Sequence, residues 1–189
     1  YVTAAWGIEH THYAVATPAS PSETLPFDLV LMAKAVAAGI AFGLAALAFG
    51  ELTHEFARLL RHIIRRPLLR PLLGGLLVIA LAGALVNTAY LGLGVTNPAG
   101  ETSIVSSFAE GGASSFAWAW KILFTAITLA SGFKGGEVTP LFYVGASLGN
   151  VLGDLFHAPA DLFAALGFVG VFADKNNSSL SCTVIRVEL

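Results

Sequence analysis

Charge is what this chain of 189 residues has least of. Lys, Arg, Asp and Glu make up 12% of it, about half the charged share of a soluble domain. Hydrophobic residues reach 56% and mean hydropathy is +0.75. A soluble protein of this length has no interior large enough for so much apolar sequence, so a polytopic membrane protein embedded in a lipid bilayer is expected. One cysteine, Cys182, excludes an internal disulfide framework. His10 and His12 offer half a metal site with no third ligand nearby, and no metal or other cofactor is expected. No nucleophile–base pair can be assembled, which argues against an enzyme.

The few charges are unevenly placed. Residues 1–26 contain neither Lys nor Arg, whereas Arg58, Arg61, Arg65, Arg66 and Arg70 crowd the turn around Pro67. Such a cluster can serve nucleic acid or acidic lipid, but in an apolar chain it reads first as a cytoplasmic loop obeying the positive-inside rule. No nucleic-acid partner is expected, and residues 1–26, punctuated by Pro18, Pro21 and Pro26, form an outside loop.

Apolar runs set the expected elements. A single helix is expected over 27–66, about 40 residues and ~60 Å long, twice the hydrocarbon thickness, so it must tilt, bend or leave the membrane. A second span is expected over 68–94, with Gly74, Gly75 and Gly83 as packing notches. The stretch 101–110 is too short and polar to span and is expected to be a short helix. A third apolar helix is expected over 115–131, with Trp118, Trp120 and Lys121 as interface anchors. Further helices are expected over 135–156, over 160–173 with Asp161 as cap, and over 180–189, where the apolar run continues to Leu189. The fold class is therefore all-α, with tilted, unequal-length and re-entrant helices in a multi-pass cell-membrane protein. Tyr1 is no initiator residue, and the sequence is expected to be one part of a longer membrane domain.

The most informative stretch runs from Ser131 to Pro140, Ser-Gly-Phe-Lys-Gly-Gly-Glu-Val-Thr-Pro, followed by a nearly uncharged helix. Helix N-termini carry unpaired amides and the positive end of the macrodipole, which suits an anion. Gly135 and Gly136 allow backbone to approach a ligand, and Pro140 fits the first helical turn. Glu137 is an ionisable group where such groups are expensive and usually functional; the plainer reading pairs it statically with Lys134. Half-helices broken by glycine turns are common in transporters and channels.

Ser131 to Gly149 resembles the third anion-binding signature of the CLC family of chloride channels and anion/proton antiporters. Gly136-Glu137-Val138-Thr139-Pro140 fills the G-x-F-x-P slot, and Gly145 and Gly149 fill the glycine positions of the helix that follows. Glu-Val-Thr-Pro in place of a bulky aromatic, together with Gly132–Gly136 and Asn150, is similar to the bacterial fluoride-exporting subgroup. Phe172-Ala173, Ser181-Cys182-Thr183 and Val187-Glu188-Leu189 resemble the late helix near the dimer interface. The resemblance implies the second half of a homodimeric membrane domain, with one pathway per protomer. It implies anion binding by Gly135, Gly136, Glu137, Val138, Thr139 and Pro140, and proton coupling at Glu137. The implied function is fluoride efflux in exchange for protons. A chloride channel or chloride/proton antiporter is the alternative within that class, and a non-transporting structural fragment the alternative outside it.

Overall fold

The computed structural model describes residues 29–64, 66, 68–85, 90–96 and 102–176. They form α1 (Leu29–Ile63), α2 (Leu69–Leu85), a 3-10 turn at Ser106–Phe108, α3 (Ala117–Ala130), α4 (Val138–Phe156) and α5 (Ala160–Asn176), with no strand among the described residues. The segments expected at 1–26 and 180–189 lie outside them.

α1 has no proline to interrupt it, and Arg61 and His62 close it on the side of the dipole that favours cations. It stops short of 66 because Pro67 follows, and Arg70 Nε donates back to the Ile64 carbonyl at 3.0 Å, closing the Arg turn. Among the described residues α1 is the one helix long and apolar enough to cross a membrane; α2 and α3 are apolar but shorter. α2 has 17 residues, about 26 Å of helix. The span expected to reach residue 94 is shorter: α2 ends at Leu85, residues 90–92 turn, and Gly94 takes φ +75°.

The segment expected to be helical over 101–110 is instead a single 3-10 turn. Its serines explain the difference. The Ser106 amide donates to Ser103 Oγ at 3.0 Å, and the Ser103 amide donates to Ser106 Oγ at 2.8 Å. Hydroxyls that bond nearby backbone compete with the helical ladder. At the other end of the chain α5 runs three residues beyond the expected 173.

Exposed apolar side chains lie along one side of α1, at Val36, Ile40, Leu44 and Leu47, each more than 60% exposed. That helical spacing places them on one apolar face of the helix. The opposite side carries Ala38, Phe42, Ala45, Ala46 and Phe49, which join Leu141, Val144, Phe163 and Val171 in the principal core. A second cluster joins Ala82 and Tyr90 to Phe124, Tyr143 and Phe168.

α4 is the centre of the fold, with Tyr143 through Asn150 all buried. Its glycines face backbone: a Cβ at Gly145 would collide with the Gly167 carbonyl, and one at Gly149 with the Phe163 carbonyl. Small residues of this kind let membrane helices approach closely. By contrast, a Cβ at Gly39, Gly43 or Gly83 would meet nothing within 4 Å among the described residues.

Asn150 ties the serine-rich segment to α4. Its Nδ2 donates to the carbonyls of Ser107 (2.8 Å) and Ala109 (2.7 Å), and its Oδ1 accepts from the Ala113 amide (3.2 Å). Each buried polar group left unpaired costs roughly 1–3 kcal/mol, so Asn150→Leu is expected to cost the full-length protein about 2–4 kcal/mol. The thermal midpoint in detergent checks this; an unchanged midpoint would mean that water replaces the amide without loss.

Candidate functional site

The turn between α3 and α4 is built from its two ends. Ser131 closes α3, its hydroxyl donating to the Ile127 carbonyl at 2.6 Å. The Ser131 side chain is fully buried and occupies the space where Gly74 of α2 lacks a Cβ. Gly132 then takes φ +93°, a left-handed value that glycine adopts without strain. Residues 133–136 run without regular structure and are exposed. The expected helix over 135–156 therefore begins at Val138, because the Gly135-Gly136 pair favours irregular backbone.

At the start of α4 the Glu137 carbonyl accepts from the Leu141 amide at 3.1 Å, and no side chain caps the helix. Pro140 brings no N–H, so the open donors of the first turn are the amides of Val138 and Thr139. The Thr139 hydroxyl bonds no other described residue. Among the described residues the start of α4 has no side-chain cap and the Thr139 hydroxyl no partner, a donor set that suits an anion held by dipoles.

Glu137 is exposed on this chain rather than buried within it. No ion pair joins it to Lys134 among the described residues, which removes the static pairing as an account of this carboxylate. Gly135, Gly136 and Pro140 line a cavity of about 420 Å3 between α2, α3 and the turn; Glu137, Val138 and Thr139 do not line it. A larger cavity, about 690 Å3, lies at the far end of α4 around Asp154 and His157, away from the signature turn.

One residue was misread from sequence. Lys121, expected as an interface anchor beside Trp118 and Trp120, is 1% exposed and lines the cavity that meets Gly135 and Gly136. Its signal was present: Lys121 is the one charged residue within α3.

The chain has counterparts among known proteins. The family model described as voltage gated chloride channel matches residues 2–189. A chloride/fluoride channel protein of Pseudomonas syringae pv. tomato is 42% identical over 185 residues, covering 98% of this chain and 39% of that protein. A crystal structure of a CLC-type fluoride/proton antiporter is similar at TM-score 0.78 and 32% identity, over 98% of this chain and 44% of that one. This chain thus spans about two fifths of the length of these relatives.

A Cβ at Gly136 meets nothing within 4 Å among the described residues, so a side chain there leaves the fold in place and tests whether the turn holds a ligand. Gly136→Val is expected to weaken halide binding by the full-length protein about tenfold or more, ~1.4 kcal/mol. Val138→Ile is expected to leave binding close to the parent's. Calorimetric titration with fluoride and chloride reads both, and equal binding by the two variants would remove the site from this turn.

Proposed function

The chain belongs to the voltage gated chloride channel family, and on that premise we propose that the full-length protein exports fluoride across the cell membrane in exchange for protons. The observation that carries the reading is the uncapped start of α4, where the Thr139 hydroxyl has no partner among the described residues and Glu137 stands immediately before it. In this reading Gly135, Gly136, Val138, Thr139 and Pro140 shape the anion site, and Glu137 is the proton-coupling group. The names of the two relatives, one pairing chloride with fluoride and the other fluoride with protons, support the same substrates. Chloride transport is the second reading, favoured by the first of those names. A homodimer with one pathway per protomer follows from the family resemblance.

The coupling has an electrostatic basis. Two like charges about 4 Å apart repel by roughly 4 kcal/mol at an effective dielectric of ~20. Protonating Glu137 removes that repulsion, so a bound fluoride and a bound proton favour each other, reciprocally. A halide leaving the site lets the carboxylate ionise, and the proton departs by its own route.

Glu137→Gln keeps the shape of the protonated form but has no proton to release. The variant, reconstituted full-length in liposomes, is expected to lose proton-coupled fluoride exchange, whether anion flux stops or continues uncoupled. Fluoride and pH electrodes read both ions together. A glutamine variant that still moves protons against a fluoride gradient at the parent's ratio would make Glu137 structural.

Membrane orientation is part of the proposal. The Arg turn, with Arg58 paired to Glu55 at 2.7 Å on an exposed helix face, faces the cytoplasm. Arg66→Cys is expected to resist membrane-impermeant thiol reagents in intact cells and to react once the cells are opened. Ready labelling from outside would invert the topology.

A further inference from the structure

Lys121 stands in an unusual position for an ammonium group. Its Nζ donates to the carbonyls of Tyr90 (3.1 Å) and Gly92 (2.6 Å). It lies 5.0 Å from the centroid of the Tyr143 ring, and the Tyr143 hydroxyl donates to the Thr102 carbonyl at 3.2 Å. This enclosure is tight: a Cβ at Gly94 would come within 2.6 Å of the same ring. Among the described residues no carboxylate pairs with Lys121. Carbonyl dipoles and a ring face orient an ammonium but do not cancel its charge, and a buried charge without a counter-ion is costly.

The cavity beside it supplies room for that counter-ion. Lys121 shares the lining with Gly135, Gly136 and Pro140 of the turn, and with Thr125 and Thr128 of its own helix. Thr125 and Thr128 follow Lys121 at i+4 and i+7, on one face of α3, over an axial rise of ~10 Å. The Thr128 hydroxyl is turned back to the Phe124 carbonyl at 2.7 Å. The Thr125 hydroxyl bonds no other described residue, so its donor is available to a ligand.

We infer that Lys121 and the Thr125 hydroxyl form a second anion station, in which a halide occupies the cavity between the signature turn and the buried ammonium. The station rests on the anion-transport reading and extends it: the turn holds the anion with dipoles, and Lys121 supplies the full positive charge that the turn lacks. An anion in the cavity is drawn toward Lys121 by an attraction that, at ~10 Å and an effective dielectric of ~20, is worth about tenfold in affinity. Nearer approach strengthens it. The same fixed charge repels cations, so the cavity admits one sign of ion.

The test uses the full-length protein, titrated calorimetrically with fluoride and chloride and assayed for halide flux in liposomes. Lys121→Gln keeps two N–H donors for the Tyr90 and Gly92 carbonyls while removing the charge; Lys121→Met removes both. Each is expected to weaken halide binding about tenfold or more. Halide affinity at the parent's level in Lys121→Gln, with loss confined to Lys121→Met, overturns the station and leaves Lys121 as a hydrogen-bonding strut. Gel filtration and the thermal midpoint report whether the variants fold. Should Lys121→Gln not fold, Thr125→Val decides, because it leaves the ammonium untouched. One lost donor is expected to weaken halide binding about threefold, and unchanged affinity overturns the proposal. The two readings separate cleanly. A parent that binds halide through Lys121 but moves none across liposomes refutes transport alone. A transporting parent whose affinity is unchanged by these substitutions refutes the station alone.

Discussion

The close approach of α4 and α5 is the constraint on which the site depends. Gly145 and Gly149 of α4 lie against the Gly167 and Phe163 carbonyls of α5, with no space for a Cβ at either glycine. That contact lets α4 sink into the middle of the helices, where it is buried from Tyr143 to Asn150. The Schellman-like bonds at His157 and Ala158 satisfy its C-terminus, while its N-terminus has no side-chain cap among the described residues. A helix anchored everywhere except at its positive end holds its amides in place before any ligand arrives. Such preorganised dipoles need no rearrangement when an anion binds, which is what gives them value at low dielectric.

The environment reinforces this arrangement. The apolar stripe on α1 and the exposed leucines of α2, among them Leu72 and Leu76, suit the hydrocarbon of a membrane, a medium that strengthens dipoles and charges placed within it. A buried ammonium at Lys121 with no carboxylate partner among the described residues and an uncapped helix end are both expensive in that setting. Both reach the neighbourhood of one cavity, the first lining it directly and the second through Gly135, Gly136 and Pro140. The proposed anion would answer both, one by charge and the other by dipoles.

Much of this was legible in the sequence, for identifiable reasons. Helix punctuation is local: Pro67, the Gly135-Gly136 pair and Pro159 mark breaks that the helices observe. The signature turn was legible because glycine, glutamate and threonine between apolar helices have few structural uses. The 102–108 segment was misread because a run of serines carries no periodicity, and its conformation is decided by hydroxyl-to-backbone bonds. Lys121 was misread because a lysine beside two tryptophans looks the same in sequence whether it faces water or folds inward. Only the tertiary position of Tyr90, Gly92 and Tyr143 tells the two apart. Glycines are alike as letters for a related reason: only the neighbouring element distinguishes Gly74, filled by Ser131, from Gly83, which meets nothing within 4 Å among the described residues.

The central claim, that backbone amides at the start of α4 hold the transported anion, can be tested on fluoride itself. Solid-state NMR of the full-length protein in lipid, loaded with fluoride and labelled with 15N-valine, measures dipolar coupling between 19F and individual amide nitrogens. Dephasing of the Val138 amide by bound fluoride is the result expected, with the label at Val144, buried in the same helix, showing none. Bound fluoride that dephases neither amide would place the anion elsewhere and contradict the account.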